Sequence, residues 1–234
     1  MSRSYYLYKL QLVDLQIDNA LARVSAIKDQ INDNREIEKA KQVLAEQVES
    51  RDLSQNKLSS AEQSVNSQKI KIEQTESTLY SGTVKNPKEL QALQEEVQAL
   101  KRYLTILEDR YLDAMIDFEE KQEKFFKAQN SVEMLTNEKA NLVETLNAEN
   151  NKLSQRIEAL TIERKQLLPK IDADDIRLYE DIRKSKKGVA VSKIVDKACG
   201  ACGTTLTAAL YQAAKSPSKL VRCATCKRIL YYSS

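Results

Sequence analysis

Counting in sevens from Leu90 meets Leu90, Val97, Leu104, Tyr111, Phe118, Phe125, Val132, Lys139, Leu146, Leu153, Leu160 and Leu167, apolar at every step but Lys139. A second series three residues on runs Leu93, Leu100, Leu107, Ala114, Lys121, Ala128, Leu135 and Leu142, and the two together form an a/d seam. A straight α-helix drifts away from a strict seven-residue stripe, so a seam of this length belongs to a helix supercoiled about a partner. The N-terminal third of the chain supplies that partner. Leu10, Ile17, Val24 and Ile31 keep one seven-step, and after a one-residue shift of phase Ile37, Leu44, Arg51, Leu58, Val65, Ile72 and Leu79 keep another.

Between the two stretches lies Ser81 to Glu89. Gly82 suits the left-handed residue past a helix end, Asn86 suits an N-cap, and Pro87 suits the first helical position. The spacing therefore predicts a mainly α protein, a long antiparallel coiled-coil hairpin over residues 1–169 with its tip near 81–87. Each arm would run roughly 115 to 125 Å at 1.5 Å per residue. Folding about the tip pairs residues whose numbers sum to roughly 168, which sets Arg51 opposite Phe118 and Lys139 opposite Asp29. The same heptads would also serve a parallel two-chain coil, but the tip signals argue against it.

The composition narrows the function. Four Gly, three Pro and no Trp, with 30% charged residues and a mean hydropathy of −0.54, leave little for a loop-rich fold or the compact core of an enzyme this long. Histidine is absent, which removes Ser-His-Asp triads, imidazole acid-base chemistry and His-bearing metal sites. Carboxylates are plentiful, but they fall on exposed coil positions with no pocket to shift them. No catalytic residues are assigned, and no small-molecule substrate is expected. No stretch is apolar enough to span a bilayer and none reads as a secretion signal, so a cytoplasmic protein without membrane contact is expected.

Charge divides the chain in two. Residues 183–234 hold eleven Lys/Arg against the single acid Asp196, a net of +10, while the rest of the chain carries −7. All four cysteines lie in the basic part, as Cys199-Gly-Ala-Cys202 and Cys223-Ala-Thr-Cys226 with 20 residues between the pairs. Two residues inside each pair let a tight turn aim both thiolates at one ion. Disulfides need an oxidising compartment, and a redox C-x-x-C needs a βαβ setting that is not visible here. Iron satisfies the same four ligands, but ligand type and spacing favour one structural Zn2+ held by Cys199, Cys202, Cys223 and Cys226. Four thiolates close the coordination sphere, so the ion holds a fold together and activates no water.

Gly200 and Gly203 suit a first knuckle needing positive φ or close approach. Val189–Val195, Leu220–Arg222 and Arg228–Tyr232 read as short strands, and Thr207–Lys215 as a brief helix. The domains expected are therefore the hairpin at 1–169, a short helical linker at 170–188, and a small C-terminal β-rich zinc ribbon at 189–234. Such a ribbon is too small to fold on apolar burial alone and needs its ion.

Gly82 to Leu90, Tyr179-Glu-Asp-Ile-Arg183 and the two Cys-x2-Cys knuckles together resemble bacterial proteins that join an N-terminal helical hairpin to a C-terminal C4-type zinc ribbon. The resemblance spans the chain. It implies a structural zinc site at the four cysteines and a role as nucleic-acid binder, adaptor or chaperone, with an alternative sigma factor or export-apparatus components among the partners. Lys227 departs from the pattern, standing where the family usually has Gly.

Two functions follow. The first is a non-enzymatic zinc-binding regulator that contacts RNA or DNA through the basic ribbon, with Lys184, Lys186, Lys187, Lys215, Lys219, Arg222, Lys227 and Arg228 as phosphate contacts and Tyr211, Tyr231 and Tyr232 as stacking partners for bases. The second is a protein-protein adaptor acting through the hairpin.

Overall fold

The computed structural model describes residues 2–233. Five helices and three short strands follow in the order α1 (Arg3–Asn32), α2 (Arg35–Tyr80), α3 (Pro87–Leu167), α4 (Ala173–Ser185), β1 (Val191–Val195), β2 (Ala198–Cys199), α5 (Ala208–Lys215) and β3 (Ile229–Tyr231). The long helices form a hairpin, and a small three-stranded sheet follows them. The scarcity of Gly and Pro lets α3 run through 81 residues, with Pro87 as its first. Asn86 caps it, accepting the Lys88 N–H at 3.1 Å, and Gly82 takes φ +72° just past the end of α2. No described helix is long and apolar enough to cross a membrane.

The phase shift between Ile31 and Ile37 is a break in the helix. α1 ends at Asn32, α2 starts at Arg35, and the Asp33 N–H still reaches the Asp29 carbonyl at 3.1 Å. The chain divides near this break into two compact units, one of Asn34–Asn141 and the other of the residues before and after it; α3 contributes to both.

In the unit of Asn34–Asn141, Val65, Ile72 and Leu79 of α2 and Val97 and Leu107 of α3 are buried at a/d positions. Small or polar side chains complete the α2 side of the seam. Ser54 and Gln68 are buried, and Gln68 donates from Nε2 to the Leu100 carbonyl at 3.0 Å. Arg51 meets an aromatic face as the spacing predicts, but the ring is Phe125, 4.4 Å away, one heptad beyond Phe118. The ion pairs Lys69–Glu108 and Lys101–Glu76 show the same offset. Side chains lean toward the N-terminus of their own helix, in opposite directions for antiparallel partners, so long side chains meet at larger number sums than the backbones do.

In the other unit α1 lies along the C-terminal part of α3, cross-linked by Arg23 to Glu149 through two 2.8 Å bonds and by Arg156 to Gln16 at 2.7 Å. Ser2 caps α1 by accepting the Tyr5 N–H. A single 3-10 turn at Leu168–Lys170 then turns the chain into α4, capped by Asp172. Asp14 of α1 is buried and accepts from Arg164 Nε at 2.7 Å and from the Tyr179 hydroxyl at 2.8 Å. A buried carboxylate is tolerated only with such partners, and here they come from α3 and α4. Burial, followed by the Asp14 charge, raises the Tyr179 pKa, which keeps the hydroxyl a donor.

The sheet order is β2-β1-β3, with β1 antiparallel to β2 and parallel to β3. One apolar core joins Leu7 and Leu10 of α1 and Tyr179 and Ile182 of α4 to Ala190, Val191 and Ile229 of the ribbon. A second lies inside the ribbon, built on Ile194, Leu206, Val221, Leu230, Cys199 and Cys223.

Candidate metal centre

The two knuckles are built alike. In the first, the Gly203 N–H donates to the Cys199 carbonyl at 2.7 Å and the Cys199 N–H to Thr204 O at 2.9 Å. In the second, the Lys227 N–H donates to the Cys223 carbonyl at 3.0 Å and the Cys223 N–H to Arg228 O at 2.8 Å. Both turns close on a left-handed residue, Gly203 at φ +74° and Lys227 at φ +64°. The two glycines of the first knuckle serve different ends. Gly203 supplies the left-handed turn, whereas Gly200 permits close approach: a Cβ there would lie 2.6 Å from the Lys193 carbonyl, to which the Gly200 N–H donates at 3.0 Å.

These turns bring the four Sγ atoms within 4.8 Å of one another. Cys199 and Cys226 Sγ are 3.7 Å apart, and so are Cys202 and Cys223 Sγ. Both separations exceed the roughly 2.05 Å of a disulfide. A tetrahedron with metal–sulfur distances of about 2.3 Å has an edge of about 3.8 Å, which the two 3.7 Å pairs match, and the quartet is close enough to close on one zinc ion. Cys199, Cys202, Cys223 and Cys226 would hold that ion, and it would supply a cross-link between the two knuckles.

Two hydroxyls beside the sulfurs were not apparent from the spacing. Ser192 Oγ, buried on β1, is 3.3 Å from Cys199 Sγ and accepts the Ala201 N–H at 2.9 Å. Thr204 Oγ1 is 3.4 Å from Cys202 Sγ. Hydrogen bonding from Thr204 draws the exposed Cys202 thiol down to about 6, while burial raises Cys226. Such outer contacts orient ligands and spread thiolate charge. Thr204 carried a local signal, two residues past a cysteine; Ser192 is brought in only by the pairing of β1 with β2.

The basic residues are distributed around this centre. Lys184 and Lys187 are exposed at the end of α4, Lys219 and Arg222 are exposed before the second knuckle, and Lys227 is exposed within it. Lys186 is half-buried. None of these six has a carboxylate within 4.0 Å among the described residues. Arg228 is half-buried, its Nε donating to the Val189 carbonyl at 2.8 Å and its Nη2 lying 3.5 Å from the Lys186 carbonyl, so it ties the second knuckle to the end of α4. Arg183 is paired with Asp18 at 2.6 Å. Lys215 is exposed and lies over the rings of Tyr211 and Tyr232, 4.6 and 5.3 Å from their centroids. Tyr231 stacks on Tyr8 of α1 at 4.7 Å, so this ring is engaged with the helical part.

A CT398-like coiled coil hairpin domain matches residues 13–187, and a C4-type zinc ribbon domain matches residues 198–230. The chain belongs to the CT398-like coiled-coil hairpin family. Three solved structures share the fold of the family along nearly the whole chain. CT398 from Chlamydia trachomatis is 20% identical with a TM-score of 0.67, covering 99% of each chain. The HP0958 protein from Helicobacter pylori is 19% identical with a TM-score of 0.55, covering 99% of this chain and 98% of that one. A protein from Mycobacterium smegmatis is 22% identical with a TM-score of 0.62, covering 100% of both. None of the curated proteins matches. A coiled coil and a zinc ribbon are not known enzyme types. The ribbon's four cysteines, close together, suit one structural Zn2+.

Proposed function

We propose that this zinc-binding protein contacts nucleic acid through its ribbon. The observation that carries the reading is the set of cations without carboxylate partners: Lys184, Lys186, Lys187, Lys219, Arg222 and Lys227 lie in a segment whose single acid is Asp196. Elsewhere some cations pair across or along the helices, as Arg23, Lys69, Lys101 and Lys127 do, and the rest lie among abundant carboxylates, whereas the ribbon has almost none. Unpaired cations on a metal-ordered scaffold favour a polyanion by releasing its counterions. Tyr211 and Tyr232, with Lys215 between them, supply the aromatic surface on which an unpaired base would stack. Arg228 and Tyr231 have structural contacts and contribute less.

Fluorescence anisotropy with a labelled single-stranded oligonucleotide, from low to high salt, tests this. Four to six phosphate contacts give a log–log slope of about −3 to −4 for a single strand. Lys184→Glu, Lys187→Glu and Lys219→Glu together, with zinc content unchanged, should weaken binding by at least about tenfold. Salt-independent binding, or wild-type affinity in this variant, would sink the reading.

A further inference from the structure

α3 carries a second row of side chains on the face away from its seam. With Leu90 as position a, its b and f positions from Lys88 to Lys165 are polar or alanine except for Leu112, Ile116 and Phe126. All three fall within four turns of helix, and Met134 extends the row by two turns more. Their exposures are 55%, 58%, 49% and 62%. Scattered exposed apolar residues are ordinary. Confinement of every large apolar b/f residue to one short stretch is not, because those positions face solvent in a two-helix coil.

The intervals from Leu112 to Ile116, Glu119, Glu123 and Phe126 are four, three, four and three, the spacing of a helix–helix seam. Apolar residues stand at its two ends and glutamates in its middle. The surround is acidic too. Asp113, Glu119, Glu120 and Glu133 have no Lys or Arg within 4.0 Å among the described residues. Among the described residues the Glu123 carboxylate pairs with the exposed Lys127 of its own helix, and Lys124 adds a weaker attraction.

We infer that this face, residues 112–134 of α3, docks an amphipathic helix of another protein that is apolar at both ends and carries Lys or Arg in the middle. Charge complementarity selects that occupant. An acidic or neutral helix would leave Glu119 and Glu123 facing apolar groups or like charge, whereas Lys or Arg opposite them pairs the carboxylates while its stem covers Ile116 and Phe126. The inference is independent of nucleic-acid contact and stands if that reading fails.

The test uses the full-length, zinc-loaded protein and a labelled synthetic helix of about 25 residues, long enough for the roughly 33 Å face. The peptide has Leu opposite the four apolar residues and Lys opposite the two glutamates; a control carries Glu in place of Lys. The Lys peptide should bind at least about tenfold more tightly than the control. Leu112→Gln, Ile116→Gln, Phe126→Gln and Met134→Gln together should lower its affinity at least tenfold with helicity unchanged, since all four lie outside the seam. Glu119→Lys with Glu123→Lys should reverse the preference toward the Glu peptide. Absence of binding, equal binding of both peptides, or wild-type affinity in the four-site variant would overturn the inference. So would self-association of the wild-type chain, seen by sedimentation and abolished in that variant, because the occupant would then be a second copy.

Discussion

Gln11 and Val191, 180 positions apart, are joined as two strand residues would be: Gln11 Nε2 donates to the Val191 carbonyl at 2.8 Å, and the Val191 N–H donates to Gln11 Oε1 at 2.6 Å. A helix side chain thus completes the backbone of β1 where it docks on α1. Both residues are buried, so water cannot replace the bonds. Around this link Leu7 and Leu10 pack on Val191 and Ile229, and Tyr8 stacks on Tyr231. Arg3 grips Asp175 of α4 through two bonds of 2.6 and 2.8 Å and reaches the Ser218 carbonyl at 3.1 Å.

Gln11→Leu keeps the volume and helix propensity but leaves a buried N–H and C=O unpaired. Because an unsatisfied buried group costs more than an average hydrogen bond contributes, the loss should be about 2–4 kcal/mol. Amide exchange at Val191 and along β1 should accelerate while zinc stays bound. Unchanged exchange at Val191 would show that the pairing contributes nothing.

Lys227 occupies the left-handed position that Gly203 fills in the first knuckle. A non-glycine residue there costs about 1 kcal/mol, so Lys227→Gly should stabilise the ribbon by about that amount and raise the chelator concentration needed to strip its zinc. Lys227→Ser serves as the charge control, since it removes the ammonium and keeps the strain. Equal zinc retention in the glycine and serine variants would assign any gain to charge.

Removing zinc with a chelator under reducing conditions should unfold more than the ribbon. The core of Leu7, Leu10, Tyr179 and Ile182 is closed by Ala190, Val191 and Ile229, so losing the sheet uncovers the start of α1 and one face of α4. Hydrogen exchange should lose protection across the ribbon, in the first turns of α1 and in α4, with residues 34–141 unchanged. Full protection of α1 and α4 in the metal-free protein would mean that the helices hold without the ribbon.

The hairpin and the clustering of the four cysteines were legible in the sequence because both are written as spacing. A seven-residue period fixes which face of a helix meets a partner, and Cys-x2-Cys fixes what one turn can aim at an ion. Even the break at Asp33 was present as a slip of phase. β2 had no such signal: its two-residue turn, Asp196 at φ +49° and Lys197 at φ +58°, has both central residues left-handed without the Asn-Gly that usually announces it.

What the tertiary structure alone decided is how the two modules meet. Gln11, Asp14, Arg3 and Asp175 read as ordinary polar positions on helices, and nothing in a period or a motif tells a solvated Gln from one that closes a strand. Their roles arise from burial, which removes water as the competing partner and so turns a common side chain into an obligatory one. The sequence determined which residues can form a seam and which can hold an ion. Only the folded chain determined which polar groups lie where water cannot reach them.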